Sequence, residues 1–188
     1  VNAYAGTCMM EYSGRSVSMC PMGKDSFGPV VIHEGGGHGF GRLLDEYRYY
    51  AAELPSDDKN AIKSWRSKDP YYGYNLDLTG DRNKVHWAHY FDRPGYEAVS
   101  MYEGGSLYEY GVWRPEYISC MEDNRPYYNA PSREAIVRRI MRASGKTFNM
   151  EDFISKDKIR SEKGAPQTRT DYVTEAFVPF APPIRVER

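Results

Sequence analysis

Val30-Val31-Ile32-His33-Glu34-Gly35-Gly36-Gly37-His38-Gly39-Phe40-Gly41-Arg42-Leu43-Leu44-Asp45-Glu46-Tyr47 is the stretch on which the reading of this chain turns. Two of the chain's four histidines stand here, on either side of a carboxylate. The apolar run Val30 to Ile32 leads into them, with Ser26 as a helix cap and Pro29 in the first turn. On an α-helix, residues four apart are separated by only about 40°, but residues five apart by about 140°. His33 and His38 are five apart. A one-residue π-bulge absorbs the extra residue and returns both imidazoles to one face; such bulges are frequent at functional sites. Gly35, Gly36 and Gly37 accept that distortion readily. Three glycines in a helix interior cost on the order of 1 kcal/mol each against alanine. Their presence points to something passing close to the backbone, such as a substrate strand.

The pattern is one residue longer than H-E-x-x-H, in which two histidines hold zinc and the glutamate serves as general base. The plain alternative is a glycine-rich turn carrying two unrelated histidines. Zinc also needs a third protein ligand and one open position. Asp45 is the first candidate, because Gly39 and Gly41 let the chain turn back towards the histidines. Glu46 is the alternative and His89 a more distant one. Asp45 could instead orient a histidine ring from behind.

The stretch from Val31 to Tyr47 resembles the IgA-peptidase family of bacterial zinc metalloendopeptidases, a metzincin-like group. Leu43-Leu44-Asp45-Glu46-Tyr47 matches the Leu-x-Asp-Glu-Tyr tail that follows the histidines in that family. The resemblance extends to Tyr102-Glu103-Gly104-Gly105, Gly111-Val112-Trp113-Arg114-Pro115, Ser119-Cys120-Met121 and Asn129-Ala130-Pro131-Ser132-Arg133-Glu134-Ala135-Ile136. The extra residue between the histidines is the main departure. The resemblance implies an α/β (α+β) zincin-like catalytic domain with a glycine-rich active helix and a Met-turn. It implies Zn2+ held by His33, His38 and Asp45, Glu34 as general base, and a protein or peptide substrate. Met121 sits where the Met-turn would lie, beneath the metal, or is simply a core side chain. Tyr127 or Tyr128 is the expected hydrogen-bond donor to the tetrahedral oxyanion. The location implied is secreted, periplasmic or at the cell surface. Two rival readings remain open. One is a metal-binding but non-catalytic protein- or carbohydrate-binding module. The other is an exopeptidase of the dipeptidyl-peptidase type, which shares the H-E-x-x-G-H spacing.

Composition is compatible with these readings and excludes others. With 188 residues, 40% of them apolar, the chain can bury a core. Residues 1–188 read as one catalytic domain, expected to be a fragment of a longer protein lacking upstream strands or an N-terminal domain. The net charge of -1 carries no basic excess for nucleic acid, and no apolar run approaches the ~20 residues of a membrane span. Cys8 and Cys20 could pair or stay free, and Cys120 completes an odd set. The many tyrosines suit half-wet cleft walls.

Element signals are uneven. Residues 1–22 read as extended, with weak alternation over Ser16–Cys20. Leu43 and Leu44 read as a continuation of the helical segment, closed by Pro55. Ser56, Asp57 and Asp58 open a helix to about Lys68 that turns Ile62 and Trp65 inward, before Asp69-Pro70. Residues 70–130 offer little periodicity, as ligand-lining sections often do. Asn129 and Pro131 open a helix from about Ser132 to Ala143, with Ala135, Ile136, Ile140 and Met141 as its apolar stripe and Gly145 at its end. Arg133, Arg138, Arg139 and Arg142 fall on the side expected to be solvated. Asn149 or Thr147 caps a segment to about Ile159, and residues 161–171 read as a polar loop before an extended tail. His86-x-x-His89 is a weak metal candidate. Asp77, Thr79 and Asp81 read as an ordinary turn rather than a calcium loop.

Overall fold

The computed structural model describes residues 6–11, 14–21 and 27–160. Ser26, the expected cap, and the polar loop and extended tail from residue 161 onward lie outside them. The described residues form a mixed α+β fold of two small sheets, five α-helices, a π-helix and a 3-10 turn. None of these helices is long and apolar enough to cross a membrane.

The weak alternation near the start becomes an antiparallel hairpin of β1 (Thr7–Met10) and β2 (Ser16–Met19), with Cys8 opposite Ser18. Cys8, Cys20 and Cys120 are free thiols. The hairpin lies against the helix that carries the histidines: a Cβ on Gly39 would stand 3.0 Å from the Ser16 hydroxyl. That helix begins as α1 (Phe27–Val31) and continues as a π-helix over Ile32–Gly41.

The helix does not continue through Leu43 and Leu44, contrary to the sequence expectation. Arg42 adopts the left-handed conformation at φ 58, and its N–H bonds to the His38 carbonyl at 3.1 Å. Long-range bonds hold this reversal. The Arg42 guanidinium donates to the Arg15 carbonyl, and the Arg42 carbonyl accepts from Gly73 N at 2.7 Å. Tertiary bonds thus override the local helix signal. The chain then runs extended into β3 (Arg48–Glu53).

β3 is the edge of a three-stranded sheet in the order β3-β5-β4. It pairs in parallel with β5 (Leu107–Arg114), which pairs antiparallel with β4 (Tyr102–Gly105). Periodicity did not reveal these strands for a physical reason. Every residue of β3 is exposed, so it has no apolar alternation, and both pairings of β5 carry register shifts. The β4–β5 turn needs positive φ at four successive positions, Gly104 to Leu107.

Helices with clear end signals lie where the sequence puts them. α2 (Ser56–Arg66) buries Ile62 and stacks the half-buried Trp65 on Tyr72 at 4.8 Å. α4 (Ala130–Ala143) is capped by the Asn129 side chain, and Gly145 follows with φ 68. α5 (Met150–Lys156) is capped by Asn149. Two expectations for α4 are corrected. Ile140 is 48% exposed rather than part of the buried stripe. Three of the four arginines are half-buried ion-pair donors: Arg133 to Asp157, Arg138 to Glu134 and Arg139 to Asp69. Only Arg142 is exposed as expected.

The section from 70 to 130, poor in periodic structure, supplies much of the core. Trp87, Tyr90 and Tyr96 are fully buried and pack with Val85, Val99, Ala130 and Phe153. A second cluster joins Leu54, Ile62, Leu76 and Val112. A third, of Leu43, Met121 and Ala135, lies under the π-helix. The tyrosines divide between these environments: Tyr72, Tyr90, Tyr96 and Tyr127 are buried, whereas Tyr49, Tyr50, Tyr110 and Tyr117 are exposed.

Glu116 offers a test of this packing. It is buried, accepting from the Tyr127 hydroxyl at 2.6 Å and from Ala130 N at 2.9 Å. Burial outweighs both bonds and lifts its carboxyl to about 6. A carboxyl raised on folding contributes stability that is fully present below its unfolded pKa near 4.5 and is lost as the pH rises through about 6. Between pH 4.5 and pH 8, urea unfolding should show wild type losing about 1.5 kcal/mol more stability than Glu116→Gln. Parallel pH profiles for the two proteins would contradict this.

Candidate metal centre

The extra residue between the histidines is accommodated by a full π-helix of ten residues, Ile32–Gly41, rather than the single bulge expected. Its i→i+5 hydrogen bonding stacks residues five apart. His33 and His38 therefore face the same side, with their Nε2 atoms 3.1 Å apart.

The Met121 segment explains two of the three glycines. A Cβ on Gly37 would run into the Met121 sulfur, and one on Gly36 would stand 2.6 Å from the Tyr128 hydroxyl. Gly35 has nothing within 4 Å. At Gly36 and Gly37 a close approach is thus made by the protein's own core beneath the helix.

Asp45 comes back to the histidines as its position suggested. Its Oδ1 lies 3.0 Å from the Nε2 of His33 and 3.0 Å from that of His38. Each ring is fixed from behind. His33 Nδ1 donates to the Cys120 carbonyl at 2.8 Å, and His38 Nδ1 to the Leu43 carbonyl at 2.7 Å. A carbonyl can only accept, so each Nδ1 carries the hydrogen and each neutral ring presents an Nε2 lone pair. Two such lone pairs and a carboxylate oxygen then converge with no hydrogen between them. That arrangement is repulsive unless a proton on an Nε2 atom or a metal cation lies between the three atoms.

The protonation equilibria carry the same message. Burial alone would raise Asp45, but His33 and His38, which bond to it when their Nε2 atoms carry a proton, outweigh it and hold the carboxyl well below the usual range. Burial would lower His38, but the Asp45 carboxylate outweighs it and the net shift is upward. The site attracts positive charge. Around tetrahedral zinc, with bonds of about 2.0–2.1 Å, ligand atoms stand about 3.3 Å apart. Edges of 3.0–3.1 Å fit such an ion with little movement. Among the described residues, His33, His38 and Asp45 are the one group of three that could hold a metal.

Glu34 lies beside the triad, 7% exposed. It borders a cavity of about 200 Å³, walled by β1 on one side and by Asp45 and Tyr47 on the other. Gly6 presses on it so closely that a Cβ would stand 2.8 Å from Glu34 Oε1. Burial raises the Glu34 carboxyl, against the opposing pull of His38 and His33.

Glu46 is not a ligand. It is fully buried, with Oε1 accepting from Asn75 at 2.7 Å and Asn129 at 2.6 Å, and Oε2 from Ser119 at 2.7 Å. Burial pushes its carboxyl up to about 7 despite these three bonds. Its backbone N–H donates to the Met121 carbonyl at 2.7 Å. One residue thus ties the Asp45 loop, the Met121 turn and the α4 cap together.

The remaining candidates go elsewhere. His89 pairs with Glu134 at 2.9 Å and His86 with Asp77 at 2.8 Å, so the H-x-x-H pair is divided between two carboxylates. Asp77, Thr79 and Asp81 make side-chain bonds to backbone N–H groups two residues on, the turn expected of them. Met121 is fully buried against Gly37, within the one-turn helix α3 (Cys120–Asp123) that Ser119 caps. Tyr127 and Tyr128 do not face the triad as free donors. Tyr127 is bound to Glu116 and Tyr128 to the Ile32 carbonyl. Sequence reasoning missed Tyr47, whose ring centroid lies 6.4 Å from that of His33. The signal available was its place two residues after Asp45.

The glycines give a direct test. Gly35→Ala should be neutral or stabilise by up to about 1 kcal/mol, as helix propensity dictates where space is open. Gly37→Ala should cost about 1–3 kcal/mol by overpacking against Met121. Equal urea midpoints for the two variants would refute this reading of the helix.

No protein-family model matches the chain and no curated protein matches it significantly.

Proposed function

We propose that this chain is a zinc-dependent peptidase of the zincin type. The observation that carries the reading is the convergence of His33 Nε2, His38 Nε2 and Asp45 Oδ1 within 3.0–3.1 Å, with both Nδ1 atoms tied to backbone carbonyls. Two imidazoles and one carboxylate form the donor set of a catalytic rather than a closed structural zinc site, because three protein ligands leave a position for water or substrate. Zinc held there supplies a Lewis acid that makes water nucleophilic near neutral pH and polarises a carbonyl oxygen.

The residues around the triad suit the rest of the chemistry. Glu34 accepts a proton from the attacking water at a carboxylate oxygen and returns it to the leaving amine. Its raised carboxyl brings it closer to the working pH of such a base. His33 and His38 keep their orientation through Cys120 and Leu43. Met121 fills the floor below the helix, and Glu46 fixes the loop that presents Asp45.

The Leu43–Tyr47 tail and its resemblance to the IgA-peptidase family support the same reading. The non-catalytic alternative does not explain why a carboxylate is kept buried beside the triad.

Glu34→Gln is the deciding variant. It should retain metal and fold while cleavage of fluorescein-labelled casein falls by about 10²–10⁴-fold. Undiminished cleavage by Glu34→Gln would remove Glu34 from the mechanism.

A further inference from the structure

A tetrahedral oxyanion in a site of this kind is held by the metal and, commonly, by a preorganised hydrogen-bond donor. Tyr127 and Tyr128 are committed elsewhere by their bonds to Glu116 and the Ile32 carbonyl. The cavity that Glu34 borders lies beside the triad and offers other donors. Among the described residues, no lysine or arginine lines that cavity. Apart from His38, the described side chains there with a hydrogen to donate belong to Thr7, Cys8 and Tyr47. Thr7 is on the exposed face of β1. A Cys8 thiol is a weak donor.

Tyr47 differs from both. It is half-buried, and its ring lies nearly parallel to that of His33, at 24° and 6.4 Å. The Tyr49 ring packs against it at 5.0 Å. The ring is thus held in place, and Tyr47 borders the same cavity as Glu34, His38 and Asp45. Its backbone is fixed too, since the Tyr47 carbonyl accepts from Leu107 N at 3.1 Å.

We infer that Tyr47 is a catalytic residue: its hydroxyl donates a hydrogen bond to the substrate carbonyl oxygen as that oxygen gains negative charge. This assignment rests on the peptidase reading above. Tyr47 remains a neutral donor throughout, so no bond is made or broken at it. The alternative is a positioning role, in which Tyr47 only steadies Asp45. The two differ in what they do to metal binding.

The test uses the full chain loaded with zinc, as wild type, Tyr47→Phe and Glu34→Gln. Tyr47→Phe should bind zinc as tightly as wild type. It should lower kcat on labelled casein by about 10²–10³-fold with little change in KM. In the cobalt-substituted protein, followed by visible absorption, it should weaken acetohydroxamate binding by about tenfold or more. Unchanged acetohydroxamate affinity in Tyr47→Phe overturns the assignment, as does a loss of activity that tracks loss of zinc. If wild type and Glu34→Gln are equally inert towards casein, the peptidase reading fails on its own, and the acetohydroxamate comparison still decides Tyr47. A wild type that takes up neither zinc nor cobalt overturns both.

Discussion

Convergence of three lone-pair donors on one point is the constraint around which this structure is arranged. His33 Nε2, His38 Nε2 and Asp45 Oδ1 would repel one another without a proton or a metal cation between them. Bringing the first two together across five residues requires a π-helix, and such helices rarely persist for ten residues without support. The support is visible on every side. Arg42 reverses the chain at the helix end, the β1–β2 hairpin lies along one side, and Met121 and Tyr128 press into Gly37 and Gly36 from below. The Met121 turn also supplies the carbonyl that orients His33. The elements that make the unusual helix possible are thus the same ones that aim its histidines.

Glu46 is the second organising feature. A buried carboxylate carries a large desolvation cost unless its lone pairs are met. Here Asn75, Asn129 and Ser119 meet them, and they belong to three separate parts of the chain. Ser119 caps the Met121 turn and Asn129 caps α4. The residue next to Asp45 therefore anchors both the floor of the site and the helix behind it. Removing it would leave several buried donors unpaired, so its role is distinct from that of Asp45 beside it.

Much of the site was legible in the sequence because its residues are close in the chain and their spacing carries geometric meaning. His33, Glu34, His38 and Asp45 could be read from spacing and residue type, and a π-type distortion from the five-residue interval. Helices α2, α4 and α5 were legible through their starts and stops. What stayed hidden depends on long-range partners. Glu46 could not be told from a ligand without Asn75, Ser119 and Asn129. Arg139 looked solvated because Asp69 lies 70 residues away. β3 has no buried face and so no alternation to read. The tyrosines near residue 127 were favoured as donors over Tyr47 because sequence does not say which hydroxyls are already occupied.

The central claim is that His33, His38 and Asp45 hold one zinc ion, and the most direct measurement of it is zinc content per chain by elemental analysis. The account predicts about one zinc in the purified wild type and almost none in His33→Ala or Asp45→Ala, with all three proteins folded. A folded wild type without zinc, or a His33→Ala variant that keeps it, would contradict the account.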